Sequence, residues 1–284
     1  MALIRPLHNR DVQLEKLYLN KKECVIDSPE WLLSPETIIG FKDISRMAIV
    51  EMAGRDSVAA AIKSVGEEEF SDLLPTFVYT GTEYGSWPSV MMAVERLSNR
   101  LPGTRIHNLV VMGSPDFWRA LNGRFISILI EKYGFYTPCI GCHLYLHSIR
   151  IPLALKIGGV PIISGERERH NGHIKINQNS VALDFYKKLS KDFGIQLLLP
   201  LRHIQEGSHI KEILGFHWQE GKEQLGCTLS GNYRRLDSEQ NIPSHLVQRY
   251  MKEFAIPCTK KIIESYVVGH VPNHIDIASQ ILDV

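Results

Sequence analysis

No stretch of this chain stays apolar for the ~20 residues needed to cross a bilayer, which excludes a helical membrane span. The opening residues MALIRPLHNRDVQLEKLYLNKKE lack the apolar centre and small-residue cleavage site of a secretory signal, so a cytoplasmic location is expected. Neither sign of charge dominates, since 32 basic residues face 31 acidic ones. A net charge of +1 excludes the broad basic surface that holds nucleic acid without regard to sequence, while leaving room for a local patch. Cysteine is scarce, five residues and an odd number, and in a reducing compartment no disulfide framework is expected. There is no internal repeat and no low-complexity tract. At 284 residues and 44% hydrophobic, the chain can bury one large core or two smaller ones.

What the chain does have is alternation. RMAIVEMA (46–53), LLPTFVYTG (73–81), HNLVVMGS (107–114), VPIISGE (160–166) and IQLLLPLR (195–202) read as buried strands. Helix-length segments separate them, among them the alanine-rich 54–69, a proline-led 87–101, a single helix over 115–134, and a helical 142–158 that Pro152 should break. Strands joined by helical crossovers imply an α/β domain with a parallel sheet. We place it at 43–204, after an N-terminal preface over 1–42. A C-terminal region over 205–284 carries two or three amphipathic helices in its last forty residues, and their apolar faces suit packing or a homodimer interface.

Ligands of open parallel sheets bind beyond the carboxyl ends of the strands, and three such ends are polar here. EMAGRDS puts Ala53, Gly54, Arg55, Asp56 and Ser57 at a strand-to-helix turn. There backbone N–H groups and the helix dipole can receive phosphate, with Ser57 as an added donor and Asp56 as a magnesium ligand. Asp56 or Ser57 as a plain helix cap accounts for the same residues. YTGTEYGSW follows the second strand with Thr80, Gly81, Thr82 and Glu83. ISGERERHNG follows the fourth with Gly165, Glu166, Arg167, Glu168 and Arg169.

PCIGCHLYLHSIR (138–150) admits several chemistries: c-type haem attachment, half a zinc site, two thiolates for an iron–sulfur cluster, a redox pair, or buried free thiols. Haem attachment follows export, which is not expected here. Cys227, in GCTLSGNYR, supplies a third thiol, whereas Cys24 and Cys258 have no partner spacing. Zinc on Cys139, Cys142, Cys227 and a histidine such as His143 stays open beside an iron–sulfur cluster on the three cysteines. On a helix beginning near Cys142, the side chains of His143, His147 and Arg150 share one face. His147 is either a proton-transfer group or a histidine satisfied within its helix. Lys175, Asn177 and Gln178 face a substrate or precede the next helix, with Asn177 read as its cap. Asn232, Arg234 and Arg235 near the third cysteine either recognise an anion or solvate a loop.

MAGRDS resembles the pyrophosphate loop, SGGxDS, of the ATP pyrophosphatase superfamily, with Met52 and Ala53 in place of its first serine and glycine. FVYTGTEYGSWPSV and ISGERE are similar to segments of its phosphoadenylylsulfate-reductase branch, and together the three matches cover roughly residues 46–204. The resemblance implies an open, five-stranded parallel sheet with helices on both faces. It also implies ATP held by Ala53, Gly54, Arg55, Asp56, Ser57, Thr80, Gly81, Gly165 and Arg167, with Mg2+ and a catalytic Asp56. Cys139, Cys142 and Cys227 resemble the three ligands of the [4Fe-4S] cluster in one thiolase group of that superfamily. Those thiolases place a catalytic lysine shortly after the second cysteine. This chain has His147 there, the candidate for the proton-transfer role. The implied activity is ATP-dependent sulfur transfer, with sulfide or another sulfur donor, to a small molecule or nucleobase, tRNA uridine included. An adenylylsulfate-reductase reaction and a zinc-containing nucleotide-binding protein are the alternatives.

Overall fold

The structure, a computed structural model, describes residues 24–26, 33, 35–219, 221–234 and 242–284. Most of the N-terminal preface and Arg235 lie outside them. Six strands run in the order β1 (Cys24–Ile26), β6 (Val110–Gly113), β3 (Asp72–Val78), β2 (Met47–Glu51), β7 (Ile162–Ile163) and β8 (Leu197–Leu198). A seventh, β5 (Arg105–Ile106), pairs with the start of β3. Every pairing in this sheet is parallel. Five of the strands are those the alternation predicts. The two additions, β1 and β5, are three and two residues long, too short to leave a periodicity. A separate antiparallel ribbon joins β4 (Glu83–Tyr84) to β9 (Gly226–Cys227).

β2 is the pivot, with β3 on one side and β7 on the other, so the strand order reverses between β2 and β7. Its residues alternate between two cores, as the pleat requires. Met47 and Ile49 join the core built with α4 (Pro115–Asn122), α5 (Ile126–Tyr133), α6 (Pro138–Ser148), α7 (Ile151–Lys156) and α8 (Ser180–Asp192). Ala48 and Val50 join the other, with α2 (Arg55–Glu68), α3 (Pro88–Arg100) and α9 (Gly207–Leu214). The helix α1 (Pro35–Lys42) adds Phe41 to the first core. The C-terminal helices α10 (Ser244–Tyr250), α11 (Ile256–Val267) and α12 (His274–Leu282) complete that same core. A π-turn over Met251–Ala255 links α10 to α11. It falls just before Pro257, where the ordinary helical hydrogen bond cannot form.

Two helices differ from expectation. The segment 115–134 splits at Gly123, a weak helix former, whose N–H donates to Arg119 O at 2.9 Å. The cysteine-bearing helix begins at Pro138 instead of near Cys142, so Cys139 and Cys142, three residues apart, sit within its first two turns and on one side of it. Gly141 between them suits the close packing there, because a Cβ would run into Asn122 Oδ1 and the Tyr250 hydroxyl. Among the described residues no helix is long and apolar enough to cross a membrane.

Candidate active site

A cavity of about 490 Å³ opens where β2 and β7 end, at the reversal of strand order. Ala53, Gly54, Arg55, Asp56 and Ser57 line one wall, and Gly165 and Arg167 the next. The sequence therefore placed seven of its nine proposed nucleotide contacts on one cavity. The Ser57 hydroxyl holds the turn, accepting from Ala53 N and Gly54 N at 3.0 Å each and donating to Gly54 O at 2.7 Å. Gln224, from the opposite wall, accepts from Arg55 N at 3.4 Å. Asp56 is engaged on both oxygens, by Arg55 Nε at 2.8 Å and by the buried Arg167 Nε at 2.9 Å. Each oxygen keeps a second lone pair, so a magnesium ion on Asp56 would sit beside a guanidinium already bound to it. Lys175 lines the cavity too, and its ammonium makes no hydrogen bond or ion pair among the described residues.

Thr80 and Gly81 stand elsewhere. Their backbone N–H groups donate to Glu83 at 2.8 and 2.9 Å, closing a tight turn that is no part of the cavity wall. That turn serves Cys227 instead: Thr80 Oγ1 lies 2.8 Å from Thr82 Oγ1, which lies 3.2 Å from Cys227 Sγ. The three cysteines converge on this side. Cys139 Sγ is 3.7 Å from Leu229 O, two residues past Cys227, and Trp118 Nε1 donates to Cys142 Sγ at 3.3 Å. Burial, with Cys227 adding to it, pushes the Cys139 thiol up to about 12. Cys142 is raised further, first by its burial, with Cys227 and Glu83 contributing. Such thiols stay protonated at neutral pH, the opposite of a redox-active CxxC. Cys258 is fully buried within α11, and its thiol is likewise pushed up to about 12.

Below the cavity floor lies a charged network. By the pleat, Glu51 points to the same side as Met47 and Ile49, toward α6. There His147 Nδ1 lies 2.8 Å from Glu51 Oε1, and Arg150 Nη1 3.3 Å from the same oxygen. Glu166 receives His143 Nδ1 at 2.5 Å and a hydrogen bond from Gln178 Nε2. Gln178 continues to His170, and His170 to Arg167 at 2.9 Å. Burial alone would raise both carboxyls. His147 and Arg150 outweigh it at Glu51, and His143 and His147 at Glu166, leaving both below the ordinary range. Burial lowers the His147 imidazole, but Glu51 and Glu166 override it and bring it up to about 9.

His147 is buried and lies behind the cavity wall, whereas His143 and Glu166 are part of it. Its predicted side-chain role thus passes to a supporting position. Asn177 is not the cap of α8: Asn179 is, accepting from Ala182 N at 2.9 Å, while Asn177 Nδ2 donates to His143 Nε2 at 2.7 Å. Glu51 is the residue the sequence reading missed. The signal was a lone acid closing the apolar run MAIV. A further cavity, about 320 Å³, lies toward the amino ends of the strands beside Phe41, Arg105 and His107, away from where open parallel sheets bind ligands.

This is an open α/β protein with a polar, nucleotide-sized cavity at its switch point. It is 38% identical over 268 residues to the uncharacterized protein MJ0009 of Methanocaldococcus jannaschii, spanning 92% of this chain and 94% of that one. The chain belongs to the family of that protein. No model of a described protein family matches the sequence. A crystal structure described as a predicted subunit of tRNA methyltransferase, from the same organism, overlaps 60% of this chain and 73% of that one. At 12% identity and a TM-score of 0.35 that overlap is too remote to inform fold or activity.

Proposed function

We propose that the protein is an ATP-dependent sulfur-transfer enzyme. ATP would occupy the switch-point cavity with its phosphates against the 53–57 turn, Arg55 and Lys175. Oxide is a poor leaving group. Transfer of AMP from ATP to a carbonyl-type oxygen of the acceptor, with release of pyrophosphate, makes that oxygen displaceable. Sulfur then takes its place and AMP departs. The observation carrying this reading is that one helix borders both candidate sites: α6 bears Cys139 and Cys142 near its start and His143, the next residue, on the cavity wall. On the opposite wall Leu225 stands two residues before Cys227.

The donor set suits an iron–sulfur group. Three thiols converge, and burial disfavours the bare thiolates of Cys139 and Cys142, a cost that bound cations remove. Among the described residues the three ligand atoms drawn within 4.8 Å of one another belong to His143, His147 and Glu166, so the thiols are spread more widely than one zinc ion would hold them. A [4Fe-4S] cluster on Cys139, Cys142 and Cys227 would carry a sulfide taken from a separate sulfur donor to the activated carbon, so that the cluster itself is not consumed. The acceptor class is a small molecule or a nucleobase, tRNA uridine included. A reductase reaction is disfavoured by Cys258, whose burial inside α11 denies it the mobility of a terminal nucleophile.

Anaerobic purification followed by iron, acid-labile sulfide and zinc analysis tests the reading. Iron and sulfide in equal amounts, lost in Cys227→Ala, together with acceptor-dependent release of AMP and pyrophosphate, are expected. Zinc without labile sulfide, and ATP bound but never cleaved, would overturn it in favour of a zinc-containing nucleotide-binding protein.

A further inference from the structure

We infer that His143, His147 and Glu166 form a second metal site, for a single divalent first-row transition ion, in the floor of the cavity and separate from the cysteines. The two histidines are one helical turn apart on α6, so their rings share a face. Glu166 arrives from the end of β7, and the nearest ligand atoms of all three lie within 4.8 Å of one another. Two imidazoles and one carboxylate suit zinc, iron(II), cobalt(II) or manganese(II).

Three features favour an ion over an ordinary buried ionic network. First, His147 is 1% exposed, and its Nε2 has no hydrogen-bond partner although Glu166 Oε1 is only 3.3 Å away. A hydrogen bond would need the Nε2 proton to point at that oxygen, and the ring is not turned so. A divalent ion would displace any proton on Nε2 and take that nitrogen's lone pair, with Nδ1–H still donating to Glu51 and the Glu166 carboxylate as the neighbouring ligand.

Second, Glu51 on the far nitrogen of His147 is the arrangement that fixes tautomer and ring direction in metal-bound histidines. His143 has the equivalent support. Turning the Asn177 amide, an orientation set by hydrogen bonding, lets its oxygen accept from His143 Nε2–H and leaves the Nδ1 lone pair toward Glu166. Third, among the described residues Arg150 is the one permanent cation in contact with the buried Glu51 and Glu166 carboxylates, so the second negative charge is left to an imidazolium or, in its place, to a metal ion. His143 and Glu166 reach the cavity surface while His147 does not, so the coordination position left open faces the bound molecule. From there an ion would take a phosphate or carbonyl oxygen of whatever lies against the 53–57 turn.

The test is a cobalt(II) titration of chelator-treated, full-length Cys227→Ala protein, read by visible absorption and by metal analysis after gel filtration. This background removes one thiol of the trio, and a thiolate charge-transfer band would report any cobalt held by the two that remain. One cobalt per chain is expected, with d–d bands typical of nitrogen and oxygen ligands and no thiolate-to-cobalt charge-transfer band. Added His143→Ala should weaken binding at least 100-fold, and Glu51→Gln, acting through His147, about 10-fold. Circular dichroism checks each variant. His143 lies on the cavity wall, and its truncation carries the test should a change at buried Glu51 prevent folding. Absence of cobalt binding, sulfur charge-transfer bands, or unchanged affinity in His143→Ala would each overturn the site.

Discussion

Gly165 lies against the backbone of Asp56: a Cβ on it would stand 2.6 Å from the Asp56 carbonyl carbon and 2.6 Å from Ser57 N. This contact fixes the end of β7 to the first turn of α2 and sets the width of the cavity between them. Both neighbours are main chain and cannot rotate aside. Gly165→Ala should therefore force the two elements apart, at a cost of ~1–3 kcal/mol. It should be read as a lower urea midpoint with an unaltered slope. A midpoint equal to wild type would show that this wall yields freely.

Arg150 is the brace of the floor. It donates to Thr76 Oγ1 at 2.7 Å, to Thr76 O at 3.2 Å, to Leu146 O, and to Glu51 at 3.3 Å. Removing one member of a buried charge pair strands the other, at ~3–5 kcal/mol, so Arg150→Met should be severely destabilising. Adding Glu51→Gln to it removes the stranded charge, and the double variant should lose less than the two single losses combined. Denaturation of all three proteins decides this, and simple additivity would show that the two side chains are not coupled.

Much of this was legible in the sequence, for identifiable reasons. Strand–helix alternation and EMAGRDS express local preferences, buried strand and tight helix start, and so survive in one dimension. ISGER belonged to the same cavity because chain order put it at the end of the neighbouring strand. What stayed hidden depends on packing direction. Nothing local says that Glu51 turns toward α6, or that the Thr80–Glu83 turn faces Cys227 across a two-strand ribbon formed from residues over 140 positions apart. Asn177 was misread because Asn177 and Asn179 are both plausible caps by type, and only the position of His143 separates them.

The stability of the fold should fall in mild acid. Burial, only partly offset by Asp116, drops the His274 imidazole from 6.5 to about 4. Burial, with Lys175 and Arg167, does the same to His170. An unfolded chain protonates both near 6.5 and the native one only near 4, so their contribution is intact above pH 6.5 and is lost as pH falls from there to 4. For the buried His274 this is on the order of 2–3 kcal/mol. His274→Gln should be less stable at neutral pH, because Tyr266 loses its bond to the imidazole and keeps the one to Ser114, yet show a flatter decline across that window. Melting curves at intervals between the two pH values measure it, and an unchanged slope would remove His274 as a cause.

Lys175 is the cavity's spare cation. Burial depresses its pKa, with Arg167 and Arg55 opposing its charge as well, while Asp56 and Glu166 partly restore it. A desolvated ammonium that makes no hydrogen bond of its own gains more than a surface lysine from a bound anion. Pyrophosphate, the simplest probe of the 53–57 turn, should bind ~10–100-fold more weakly to Lys175→Met, the equivalent of one charge-assisted hydrogen bond. Lys175→Arg should keep part of the affinity. In the wild type, binding should weaken as pH rises, and sooner than an ordinary lysine would dictate, because the native pKa is the lowered one. Calorimetric titration across the alkaline range reads both effects. Equal affinity in Lys175→Met would place the anion elsewhere in the molecule.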